Sequence, residues 1–165
     1  MYTGLMHLHS LTRWILVILL IATTLKAFTG WSRKRKWDKN DHMTHLLLMI
    51  VCDIQLVVGF ALYFGLSPLT SGLTEIDMKN SVQRYWSIEH PVMMTVAVFT
   101  IHFGRILSKR AKDDAMKHRR LAVCYVVAIA LIALAMPWPS RGEIGRPLIR
   151  GAGIETVLIK PASIS

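Results

Sequence analysis

Four long apolar runs, separated by basic or polar linkers, constrain this chain more than any other feature. They cover about residues 5–28, 43–66, 85–107 and 121–136. One membrane crossing needs roughly 20 apolar residues, so four crossings account for nearly all of the 165-residue chain. The expected fold class is therefore all-α, an integral membrane bundle of four transmembrane helices. It would occupy residues 1–139, with a tail over residues 140–165 and no soluble domain of useful size.

Composition agrees with a lipid environment. The chain is 53% hydrophobic yet carries a net charge of +10, two facts that conflict in a soluble protein. They fit a membrane protein, because the charge collects in the linkers. The basic residues flank apolar spans, as the positive-inside pattern requires, and this placement argues against nucleic acid as a partner. Cys52 and Cys124 both fall inside apolar runs and read as small buried hydrophobes, too few for a disulfide framework. The first run lacks a basic leader and a small-residue cleavage site, so it reads as a retained span.

Orientation follows from Lys and Arg in the short loops. The first linker has five (Arg33, Lys34, Arg35, Lys36, Lys39), and the end of the third run with its linker has seven (Arg105, Lys109, Arg110, Lys112, Lys117, Arg119, Arg120). The loop between the second and third runs has only Lys79 and Arg84. Both basic linkers are expected in the cytoplasm and both termini on the periplasmic side. Trp31 and Trp37 then suit the inner interfacial belt, and Tyr85, Trp86 and Trp138 the outer one. In the tail, glycines interleave with arginines before a short β-prone stretch at 154–159.

Ionisable groups inside the runs are costly and need a reason. Toward the outer side lie His7, His9 and Arg13 of the first span and Glu89 and His90 of the third. Arg13 and Glu89 have matching depth and are expected to pair. Toward the inner side lie His42 and His45 of the second span and His102 of the third. Asp53 sits near mid-membrane and must be protonated, hydrogen-bonded or paired, with Lys26, Arg13 and His102 as alternatives. A b-type haem needs two neutral imidazoles facing each other at equal depth. The pairs His9 with His90 (as metal ligands) and His45 with His102 meet that condition, with Arg13 available to a propionate. His90 and His102 lie about 18 Å apart along the helix and are rotated by about 120°, so two such sites cannot both face one neighbouring helix.

Plainer readings stand beside these. His7 and His9 suit a hydrated interface, and His42 and His118 beside the basic linkers suit solvent. The His90 ring, preceding Pro91, has local backbone groups to satisfy. Met49, Met93 and Met94 suit core packing, and Gly59 and Gly65 suit close helix contact.

Several segments carry a family likeness: His7-Leu8-His9-Ser10-Leu11-Thr12-Arg13-Trp14, Asp53-Ile54-Gln55-Leu56 with Gly59, Glu89-His90-Pro91 with Met93-Met94, Lys117-His118-Arg119-Arg120 and Pro137-Trp138-Pro139. Over roughly residues 2–150 the chain resembles a small four-span membrane protein family of Bacteroidota, loosely labelled cytochrome b-like. That resemblance implies a bacterial inner membrane and a respiratory setting.

The functional expectation is a small inner-membrane subunit that binds haem b for electron transfer or faces a quinone in a respiratory assembly. The alternative is a cofactor-free accessory subunit of a larger membrane complex, in which Arg13, Glu89 and Asp53 serve as internal glue. A third reading, ion translocation through Asp53 and Gln55, ranks last because four spans are few for a lone transporter. No nucleophile arrangement, phosphate loop or zinc motif is present, so an independent enzyme is not expected.

Overall fold

The computed structural model describes residues 2–66 and 77–148. Helix α1 (Tyr2–Ser32) runs for 31 residues, about 46 Å at the usual rise. Helix α2 (Lys39–Ala61) starts at a capping box, in which the Asp38 and Asp41 side chains each accept from the other's backbone N–H. It passes into a π-helical turn, Leu62–Leu66. A short helix α3 (Ser81–Arg84), capped by Asn80, leads through a second π-helical turn, Tyr85–Glu89, into α4 (His90–Lys109). Helix α5 (Asp114–Ala135) is capped by Asp113 and ends before Pro137 and Pro139. A 3₁₀ turn, Gly142–Ile144, follows. Among the described residues there is no strand.

Four helical stretches are long and apolar enough to cross a membrane: Tyr2–Ser32, Lys39–Gly65, Ser81–Lys109 and Asp114–Ala135. They form a ring in the order α1, α2, α4, α5, with α5 returning to α1; the α4–α5 seam is the tightest and the α2–α4 seam the loosest. Inside the ring pack Leu16, Leu20, Leu48, Ile101, Leu121 and Tyr125. Outside, Leu11, Ile18, Val57, Phe99, Val126 and Leu134 face the surroundings. A belt of this extent is a liability in water and the expected surface in lipid.

Small residues set the tight seam. A Cβ added at Gly104 would lie 2.7 Å from Cys124 Cβ, so only glycine lets α4 and α5 approach this closely. Gly59 serves the same purpose on another seam, since a Cβ there would lie 3.3 Å from the His9 ring of α1, whereas no described residue comes within 4 Å of a Cβ at Gly65.

One hydrogen bond ties the two π-helical turns together: the Tyr63 hydroxyl donates to the Ser87 carbonyl at 2.8 Å. Tyr63→Phe is expected to cost about 0.6–1 kcal/mol, read as a lower unfolding midpoint in detergent. An unchanged midpoint would mean that another donor serves Ser87.

Candidate functional site

Between the spans, toward the end that carries the tail, lies a largely apolar cavity of about 210 Å³. His9 and Arg13 of α1, Gln55 of α2 and Trp86, His90 and Met94 of the third span are among its lining residues. Both π-helical turns border it, through Leu62, Tyr63 and Trp86. Such turns re-aim side chains and recur at functional sites.

His90 is held by helix-end chemistry. Ala135 closes α5, and the residue four positions later is Pro139, so the Ala135 carbonyl lacks a helical donor. It accepts instead from His90 Nδ1 at 3.0 Å and from the Tyr85 hydroxyl at 2.6 Å. A carbonyl only accepts, so Nδ1 carries the proton and Nε2 of the neutral ring keeps the lone pair. No described residue bonds that nitrogen.

His9 lies across the cavity. Gln55 Nε2 donates to the His9 carbonyl at 3.1 Å and lies 3.3 Å from His9 Nε2, while Thr12 bonds Gln55 Oε1. The backbone carbonyl of Leu148, in the tail, accepts from Arg13 and from the Trp14 indole at 2.7 and 2.8 Å. Arg146 stands over the Trp86 ring at 5.2 Å. The tail thus folds back over the cavity mouth; the β-prone stretch at 154–159 lies outside the described residues.

The structure gathers His9, His90 and Arg13 at one cavity, joins Asp53 to His102, and separates Arg13 from Glu89 and His45 from His102. Glu89 meets Arg84 at 2.7 Å, not Arg13, because Arg84 lies one turn away and Arg13 is turned toward Leu148. His45 is buried against the Tyr125 hydroxyl at 3.2 Å. His102 instead donates to Asp53 at 2.9 Å on the lipid-facing side, so His45 and His102 do not face each other. Of the three alternatives for Asp53, Lys26 is engaged by Asp41 at 3.3 Å and Arg13 by the tail.

A second polar centre, at the end carrying the two basic linkers, was missed in the sequence. Asp41 is fully buried and accepts from Arg35 at 2.5 Å as well as pairing with Lys26. That hydrogen bond from Arg35 raises its guanidinium pKa above the ordinary value. The half-buried Trp37 packs into the end of the bundle: its ring stacks on His45 at 5.3 Å, meets His118 at 5.1 Å and lies under the Arg105 guanidinium at 5.6 Å. His118 is buried, not solvated. The Trp37 N–H bonds Asp114 at 3.0 Å, which draws the first turn of α5 beneath the linker. His42 stays exposed and accepts from Arg105. The Asp38–Asp41 spacing was the legible signal, as a helix start.

No family model, curated protein or solved structure matches this chain.

Proposed function

We propose that this chain is a small inner-membrane subunit of a respiratory assembly whose cavity receives the ring of a quinone-type lipid. Its basic linkers then face the cytoplasm, and the cavity lies in the outer leaflet. The observation that carries this reading is His90. Its Nδ1 proton is committed to the Ala135 carbonyl, which leaves Nε2 as an acceptor at an apolar cavity. A quinol hydroxyl is the donor such a nitrogen takes, and Arg13 places a cationic donor in the same lining. A volume of about 210 Å³ is below the roughly 300 Å³ at which pockets for drug-sized ligands begin, and suits a single ring.

Titration of the full chain in nanodiscs with a short-chain quinol, followed by tryptophan fluorescence, is expected to show saturable binding. His90→Asn keeps a donor near Ala135 but removes Nε2. It should weaken binding about tenfold, the equivalent of one net hydrogen bond of about 1.4 kcal/mol. Equal binding by both proteins, or none by either, would overturn the reading.

One observation favours haem b at the same site. A ring whose Nδ1–H is fixed by a carbonyl is the usual state of a metal-ligating histidine, and His9 lines the same cavity. The cavity volume opposes it, since a porphyrin exceeds a drug-sized ligand. A Soret band in the protein as isolated, lost in His90→Asn, would favour haem over the quinone.

A further inference from the structure

Asp53 lies near the middle of the second span, yet its side chain is 58% exposed. It belongs to the outward stripe of α2, beside Ile50, Ile54 and Val57. His102, 26% exposed, is the only donor that reaches it among the described residues. A carboxylate offers about four acceptor positions, and hydrocarbon fills none of them. Ionisable groups at this depth normally face protein or a water-filled cavity. The neighbouring outward stripe of α4, Val96, Phe99 and Phe103, borders a shallow concavity that also includes His102. This is also the loosest seam of the ring.

We propose that this α2–α4 face is the contact surface for a second copy of the same chain, in a dimer whose two-fold axis runs along the membrane normal. Charge complementarity argues for a like partner. At mid-span the face carries one acid and one base on adjacent helices, with exposed His42 nearer the linker end, so a two-fold contact sets Asp53 of each copy against His102 of the other. Copies sharing one topology hold these groups at the same depth, and rotation about the normal preserves it. An imidazole has two ring nitrogens, each able to hydrogen-bond. His102 meets its own Asp53 through Nε2 and that of the second copy through Nδ1, closing a ring of two acids and two bases. Polar side chains are the usual adhesive between helices in lipid, where apolar burial alone drives little association. The inference is independent of the cavity and its ligand.

Single-cysteine additions in native membranes test the geometry. Oxidation of Val96→Cys, Phe99→Cys or Phe103→Cys is expected to give a species of twice the 18.7 kDa chain mass for at least one of the three. Val126→Cys, on the exposed face of α5, should give none. Full-length protein in nanodiscs should weigh as a dimer, and Asp53→Asn, which keeps the shape and loses the charge, should weaken self-association at least tenfold by dilution fluorescence transfer. A monomer in nanodiscs overturns the proposal. So do equal cross-linking at Val126→Cys, cross-links only to a different polypeptide, or unchanged association of Asp53→Asn.

Discussion

Asp41→Ala is expected to destabilise the bundle by about 1.5–3 kcal/mol, the usual weight of hydrogen bonds to a charged group, because the cations left behind are partly exposed. Asp41 has no exposed surface. It takes the Arg35 guanidinium at 2.5 Å, the Lys26 ammonium at 3.3 Å and the Asp38 N–H at 3.1 Å. Alanine leaves Lys26 half-buried without its carboxylate, frees the first linker from α2 and abolishes one half of the capping box. Asp41→Asn keeps a carbonyl oxygen for the cap and loses the charge, so it should fall between alanine and the native protein. Equilibrium unfolding in mixed micelles measures both. A loss below about 1 kcal/mol for the alanine variant would give this cluster no more weight than an exposed surface pair.

Gly30→Ala should also destabilise, by about 1–3 kcal/mol, although glycine to alanine within a helix ordinarily gains up to about 1 kcal/mol. The added methyl would sit 2.5 Å from His118 Nδ1 and 2.7 Å from two ring carbons. That ring is buried against Trp37 and has nowhere to retreat. Gly4, in the same helix with no described residue within 4 Å of an added Cβ, is the control: Gly4→Ala should be neutral or stabilising. The double variant Gly30→Ala with His118→Ala should recover part of the loss through a coupling of at least about 0.5 kcal/mol. Strictly additive effects would show that the clash is relieved elsewhere.

The two polar centres show why some contacts were readable and others not. His9, Arg13 and His90 share a depth, and depth along a helix is linear in sequence at a fixed rise. Their convergence on one cavity was therefore legible. The partner of Arg13 was not, because equal depth leaves the rotation of each helix open. Arg84, five residues from Glu89, and the Leu148 carbonyl, 135 residues from Arg13, competed for the same charges. The Asp53 alternatives narrowed for a similar reason: Lys26 was claimed by Asp41, the buried capping-box residue at the start of α2, which leaves His102.

Four apolar runs with polar linkers were sufficient to determine an all-helical chain with four stretches able to cross a membrane, since run length and hydropathy are local properties. Which faces turn inward was decided by packing. The ring order α1, α2, α4, α5 buries Asp41 and His118 and half-buries Trp37 at the linker end, although the surrounding sequence is among the most polar of the chain. The same order leaves Asp53, in one of its most apolar stretches, on the outside. Burial belongs to the assembled helices, not to the residues that make them. A charge next to a basic linker becomes interior and a charge inside an apolar run becomes surface once the neighbouring helices are in place.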